Sequence, residues 1–237
     1  MAALDRGRSR FPDPRFVPGD APFGRGADFR PETLVDAYAH GIFPWPYDDG
    51  EVYWWSPDPR AVIPLDGLKI SRSLRRTVRR ADFACTYDRA FDDVMRACAE
   101  PRETGTWITP EYMAGYADLH RVGHAHSVEV WSGGALVGGL YGVTVGALFT
   151  GESMFHRRTD ASKVALVGLV ERLREGGATV LDVQWVTPHL ASLGAVEIPR
   201  SAYLRRLAEA IERPAPPFCG SRATTAVARE PENEEPT

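Results

Sequence analysis

Three side chains in the C-terminal half of the chain, Glu152, Asp182 and Gln184, have the types and spacing to handle a proton without a covalent intermediate. Glu152 stands in Gly151-Glu-Ser-Met-Phe155, the start of a polar stretch that runs to Lys163. The other two stand in Asp182-Val-Gln184, within a run over 179–185 that reads as a strand. Alternation with a period of two places Val180, Asp182 and Gln184 on one face and Leu181, Val183 and Trp185 on the other. Acid and amide would then have Cα atoms roughly 6.6 Å apart, close enough to share one hydrogen-bonded proton path. A strand that otherwise reads as core has little structural reason to hold both, because burying a carboxylate is costly unless it is paired. The competing reading of Asp182 is that it ties down an arginine or a neighbouring loop.

Other constellations are weaker. Gly151-Glu-Ser153-Met-Phe155 begins like the Gly-x-Ser-x-Gly nucleophile elbow, but Phe155 occupies the closing glycine position. His120, His124 and His126 lack the His-Glu-x-x-His pattern of a catalytic metal helix, so no metal site is expected. Gly138, Gly139, Gly142 and Gly146 fall in a hairpin-like region rather than at a strand-to-helix turn. They read as room for a ligand or a close backbone, not as a phosphate loop. Arg72, Arg75, Arg76, Arg79 and Arg80 follow i, i+3, i+4, i+7, i+8 spacing and share one face of a helix over 71–80, with Leu74 and Val78 on another. Such a stripe suits phosphates, which arginine grips with two nitrogens, or is simply a solvated face.

The elements that must position these groups follow from pattern and punctuation. The chain has 237 residues, 43% hydrophobic and 25% charged, with a formal net charge of -4. That describes one or two globular domains. No apolar run reaches the roughly 20 residues of a membrane helix, and no apolar segment follows Arg6, Arg8 and Arg10 as in a signal peptide. Cys85, Cys98 and Cys219 are odd in number and without metal spacing, which points to a reducing cytoplasm. Residues 1–27 read as a loose arm and 214–237 as a disordered acidic tail. Between them, 28–62 read as a small N-terminal domain and 63–213 as the larger catalytic one. Helices are expected at 31–40, 71–80, 88–98, 110–122, 160–175 and 200–212, and strands at 61–64, 83–86, 127–132, 135–144, 146–151 and 179–185. The class is mixed α/β. Pro44, Pro46, Pro57 and Pro59 forbid regular structure in the aromatic stretch containing Trp45, Trp54 and Trp55, which could be a small core or a stacking platform.

Taken in order, Gly-Ile-Phe-Pro-Trp (41–45), Trp-Trp-Ser-Pro-Asp-Pro-Arg (54–60), Gly-Thr-Trp-Ile-Thr (105–109), Gly-His-Ala-His-Ser (123–127), Gly-Glu-Ser-Met-Phe (151–155), Asp-x-Gln (182–184) and Ala-Ser-Leu-Gly-Ala-x-Glu-Ile-Pro-Arg (191–200) resemble the leucyl/phenylalanyl-tRNA-protein transferases. The resemblance implies a catalytic domain similar to the acetyltransferase fold and transfer of Leu, Phe or Met from aminoacyl-tRNA to the N-terminal Arg or Lys of a protein. That product is a bacterial N-end rule degradation signal. No cofactor and no metal are implied, and a cytoplasmic monomer is expected. The ester to tRNA is already activated, so the enzyme need only place an amine and relieve it of a proton. In this frame Asp182 draws off the proton while the Gln184 carbonyl orients the amine; alternatively a tRNA ribose hydroxyl relays the proton and Asp182 only positions. Trp45 and Trp107 are the implied stacking surfaces for adenine. Phe149, Gly151 and Met154 belong to the donor side-chain pocket, which should exclude β-branched residues by shape. Glu152 is the candidate contact for a charged amino group, and the five arginines for the acceptor stem. Two departures stand out: Gly24-Arg-Gly-Ala-Asp-Phe29 replaces a more apolar family entry, and Val183 replaces a commoner Cys. An acyl-CoA transferase would need a pyrophosphate loop that is missing here, and a non-catalytic RNA-binding module would leave Glu152, Asp182 and Gln184 unexplained.

Overall fold

The computed structural model describes residues 9–17, 19–22, 24–26, 28–46, 51–79, 82–100, 106–218 and 221–223. Two sheets organise it. The smaller has strand order β1-β3-β2, built from β1 (Gly24–Arg25), β2 (Phe43–Pro46) and β3 (Val52–Trp55). Its prolines were expected to prevent regular structure, yet Pro44 and Pro46 lie within β2. They are tolerated because β2 is an edge strand, bonded only to β3 in this sheet. The helix α1 (Pro31–Ala39) leads into this unit, with Pro31 at its first turn and Gly41, at φ 74°, just beyond its end.

The larger sheet has eight strands in the order β10-β4-β9-β8-β7-β6-β5-β11. In chain order these are β4 (Arg60–Ile63), β5 (Ala84–Tyr87), β6 (Ala125–Ser132), β7 (Ala135–Val145), β8 (Leu148–His156), β9 (Val180–Gln184), β10 (Val196–Ile198) and β11 (Ser221–Ala223). The expected boundary at 62/63 cuts through β4, which is a member of the large sheet. Intervening helices are α2 (Arg72–Arg79), α3 (Phe91–Ala99), α4 (Pro110–Arg121), α5 (Ala161–Glu175), α6 (Pro188–Ser192) and α7 (Arg200–Ile211). Neighbouring strands are antiparallel except β8 and β9, which run parallel and are joined through α5 as such a connection requires. Their pairing ends at Thr150 and Asp182, beyond which the two strands part.

Among the described residues three apolar clusters pack on the sheet, the smallest of them under α7 through Tyr203 and Leu207. Of the two larger cores, one packs α2 and α5 through Leu74, Val78, Val164, Leu166 and Leu169; the other packs α1, α3 and α4 through Leu34, Val94, Tyr112 and Tyr116. Phe149 and Phe155, which strict alternation would place on one face of β8, belong to different cores. The cause is a bulge: Tyr141 pairs with Ser153 and Gly142 with Gly151, leaving Glu152 as the extra residue. The strand expected to stop at 151 therefore continues through His156 with its phase reversed.

Both segments read as loose make ordered contacts. Arg10 donates to Thr33 Oγ1 at 2.8 Å, Phe11 meets Trp54 edge-on at 4.6 Å, and Arg200 donates to the carbonyls of Val17 and Gly19. At the other end Pro216 and Phe218 are buried, the Phe218 ring stacks on His126 at 4.2 Å, and 221–223 pair with β5. Composition rich in Arg, Pro and Gly hid the single apolar side chains that anchor these stretches; residues 224–237 lie outside the described residues.

Candidate active site

The cavity that opens where β8 and β9 part has a volume of about 240 Å³. Leu140, Met154, Leu166, Leu169, Leu181 and Val183 make it apolar, while Glu152, Gln184, Trp45 and Trp185 stand at its polar side and mouth. Leu181 and Val183 share the face expected of them. Val183, which stands where Cys is commoner in the family it resembles, therefore borders the cavity beside Gln184. Phe149 does not line the cavity. It is fully buried, and its ring touches the place where a Cβ on Gly142 would sit, 2.4 Å away. Gly138 likewise admits Ala161, whose Cβ would be 2.5 Å from a Cβ placed there. These glycines make room for the protein's own packing, whereas Gly151 borders the open cavity.

Asp182 is sealed behind this cavity, 0% exposed. Arg60 grips it with Nε to Oδ1 at 2.7 Å and Nη2 to Oδ2 at 2.5 Å. Tyr203 Oη and Thr150 Oγ1 donate to Oδ2 at 3.0 and 3.3 Å, and the Gln184 backbone N–H donates to Oδ1 at 3.0 Å. Arg60 is itself buried between the rings of Phe43 and Tyr203, 4.7 and 4.5 Å from its guanidinium carbon, and donates to the Gly41 carbonyl at 3.0 Å. Burial works against its charge, but Asp182 beside it more than offsets that and holds the guanidinium above its ordinary pKa. The pair is complete in itself, as a buried ion pair has to be. Asp182 has no edge on the cavity.

Gln184 reaches the cavity by breaking strand geometry. Its φ is 57°, in the left-handed region where a non-glycine residue is strained, and the Asp182 carboxylate holds its N–H in that turn. Its Nε2 donates to Glu152 Oε1 at 3.2 Å, which leaves the amide oxygen unused by that bond and available to accept. Trp185, next in sequence, packs edge-on against Phe43, Trp45 and Trp55 with centroids 5.0 to 5.7 Å apart.

Glu152 is held differently. Glu152, the extra residue of the bulge, faces a group of tyrosines on the other side of the sheet from α5. Tyr116 Oη donates to Glu152 Oε2 at 3.4 Å, and the hydroxyls of Tyr116 and Tyr38 lie 2.5 Å apart. Burial pushes the Glu152 carboxyl up to about 8, and the Asp182 charge adds to this, while Tyr38, Tyr116 and Arg60 oppose it. Burial and then the Glu152 charge raise Tyr38, Tyr116 and Tyr141 well above the ordinary tyrosine value.

The remaining expected groups are scattered. Trp45 and Trp107 pack on each other at 4.5 Å with a 35° tilt, so they offer one joint face, and only Trp45 borders the cavity. In α2, Arg72, Arg76 and Arg79 are exposed and Arg75 is half-buried, while Leu74 and Val78 are buried; Arg80 lies outside the described residues. His120, His124 and His126 bond to the Ala125 carbonyl, the Thr144 carbonyl and Asp88 respectively, and among the described residues no three of His, Cys, Asp or Glu gather as for a metal. No described helix is long and apolar enough to cross a membrane. Sequence reasoning missed Arg60, Tyr38, Tyr116, Tyr203 and Trp185. Arg60 was visible as the last residue of Trp-Trp-Ser-Pro-Asp-Pro-Arg, and Tyr112 with Tyr116 as an i, i+4 pair.

An amide whose turn is fixed by a charge pair that never meets solvent, and an acid held by a tyrosine hydroxyl beside it at an apolar cavity, are the equipment of a group-transfer enzyme. The chain belongs to the leucyl/phenylalanyl-tRNA protein transferase family, whose model matches residues 62–208 and whose N-terminal-domain model matches 27–58. It is 52% identical over 207 residues to the leucyl/phenylalanyl-tRNA–protein transferase of Anaeromyxobacter sp. (strain Fw109-5), covering 86% of this chain and 88% of that one. The corresponding protein of Stutzerimonas stutzeri (strain A1501) is 55% identical over 192 residues, covering 80% and 84%. Among solved structures, a GCN5-related N-acetyltransferase from Kribbella flavida matches 70% of this chain and 59% of its own, with 12% identity and a TM-score of 0.38. L-PGS from Bacillus licheniformis matches 68% and 55%, with 15% identity and a TM-score of 0.37.

Proposed function

We propose that this chain moves Leu or Phe, with Met as a further donor, from aminoacyl-tRNA to the N-terminal Arg or Lys of acceptor proteins. The reaction forms a peptide bond and creates an N-end rule degradation signal, in the cytoplasm and with the enzyme as a monomer. The observation that carries this reading is the apolar cavity of about 240 Å³ with Glu152 and Gln184 together at its polar side. An unbranched or γ-branched donor side chain fits among Leu140, Met154, Leu166 and Leu169, which brings its ester beside the Gln184 amide.

The catalytic assignments divide by contact. Gln184 orients the attacking amine through its amide oxygen, because its nitrogen is committed to Glu152. Asp182 serves as a positioning residue that fixes the turn at Gln184; its oxygens are taken up by Arg60, Tyr203, Thr150 and the Gln184 N–H, which disfavours it as the group that removes the proton. Glu152 opposes the charged amino group of the acceptor. Adenine stacks on the joint face of Trp45 and Trp107, since their 4.5 Å separation leaves no slot for a base between them. Met154 and Gly151 shape the donor pocket, and Phe149 supports it from behind. The exposed arginines of α2, with Arg75 and Arg80, hold acceptor-stem phosphates without reading bases.

Incubation of the protein with charged Leu-tRNA and a peptide beginning with Arg should add one Leu to the peptide, scored by mass. A peptide that gains no residue from Leu-, Phe- or Met-charged tRNA would reject the assignment.

A further inference from the structure

We infer that Glu152, held by Tyr116 and Tyr38, accepts the proton that the acceptor's α-ammonium loses before it attacks. This rests on the transfer reaction proposed above and assigns the proton to a group other than the Asp182 pair. Three observations carry it. Glu152 is the acid that borders the cavity, and Gln184 Nε2 places one of its oxygens next to the amide that orients the amine. The hydroxyls of Tyr116 and Tyr38 form a chain running from its other oxygen into the core. Asp182, the alternative, is enclosed on the far side of β9 with its lone pairs occupied.

The groups facing Glu152 come from every element packed around it: Tyr38 from α1, Tyr112 and Tyr116 from α4, Tyr141 from β7, Asp182 and Gln184 from β9, Arg60 from β4 and Tyr203 from α7. Among the described residues, the Tyr112 and Tyr141 hydroxyls are buried without a hydrogen-bond partner. Arg60 is the cation of this set and is committed to Asp182, so no cation is bound to Glu152 within it. A carboxylate in such surroundings holds a proton at a strength close to that of an α-ammonium, whose ordinary value is about 7.7 to 8. Transfer between matched groups is nearly thermoneutral, the condition under which acid–base catalysis is efficient near neutral pH. The step balances. The ammonium gives one proton to Glu152, the freed nitrogen forms a C–N bond to the ester carbonyl carbon, and the C–O bond to the ribose breaks. A second proton from the nitrogen goes to the departing ribose oxygen.

The test is kcat/KM for a peptide beginning with Arg at saturating charged tRNA, followed between about pH 6 and 9. The wild type is compared with Glu152→Gln, Tyr116→Phe and Tyr38→Phe, each checked for folding by thermal melting. The amine's own ionisation is common to all four, so differences between profiles report on Glu152. Removing a hydroxyl that stabilises the carboxylate should move the acid limb to higher pH by about half a unit to one unit in Tyr116→Phe and Tyr38→Phe. Glu152→Gln should lose roughly 100- to 10,000-fold. Superimposable profiles for both tyrosine variants, or a wild-type rate in Glu152→Gln, would overturn the inference while leaving the transfer reaction intact. A wild type that transfers nothing would overturn the proposed function and this step with it.

Discussion

Asp182 and Glu152 are carboxylates on neighbouring strands, both drawn to Gln184, and the protein treats them in opposite ways. Asp182 is fully enclosed yet balanced by Arg60, with Tyr203, Thr150 and a backbone N–H completing its contacts. Glu152 keeps an edge on the cavity and has tyrosine hydroxyls and an amide for company. Burial without a cation raises the Glu152 carboxyl to about 8, whereas an ion pair as complete as that of Asp182 is suited to holding geometry. One acid therefore sets a backbone turn, and the other is free to change its protonation where the cavity opens.

The harshest way to break this contrast is to strip Asp182 of its partner. Arg60→Ala leaves an unpaired buried carboxylate and should cost about 3 to 5 kcal/mol in urea unfolding. An unchanged midpoint would mean that Asp182 escapes to water. Among the described residues the other acid has no cation to lose, and it is probed through pH instead. Glu152 binds its proton more tightly folded than unfolded, so its contribution to stability is present below about pH 4.5 and is lost as pH rises through about 8. Wild-type stability should therefore fall across that window, and Glu152→Gln should flatten this part of the slope; identical slopes would argue that Glu152 titrates like an exposed carboxylate. The smallest effect belongs to the surface. Charge reversal at Arg72 and Arg76 should raise the KM for aminoacyl-tRNA several-fold to tenfold at low salt and leave aminoacyl-adenosine nearly untouched. Equal losses on both donors would place these arginines' influence inside the site.

How much of this was legible in the sequence depended on whether a role is local. The basic face of α2, the Pro31 and Gly41 limits of α1 and the placing of Asp182 and Gln184 in one short strand can all be read from nearby residues. The partners that divide the two acids cannot. Arg60 lies 122 positions from Asp182, and Tyr38 lies 78 from Tyr116; sheet order brings the first pair together, and the packing of α1 on α4 the second. The bulge at Glu152 also escapes pattern reading, because strict alternation predicts a face that one extra residue reverses. The alternative reading of Asp182, as an acid that ties down an arginine, matches its contacts; Phe149 was expected in the pocket from the family resemblance, and the structure places it behind the lining. Prolines in β2 misled for a related reason, since edge position is a property of the sheet and not of the segment.

The contrast between the acids is tested most directly by titrating the side-chain carboxyl carbons of the ¹³C-glutamate-labelled protein by NMR, with the Glu152 signal identified by its loss in Glu152→Gln. The structure leads us to expect a midpoint near 8 that moves higher in Tyr116→Phe. A midpoint near the ordinary carboxylate value of about 4.5, unmoved by Tyr116→Phe, would contradict the division of labour between Glu152 and Asp182.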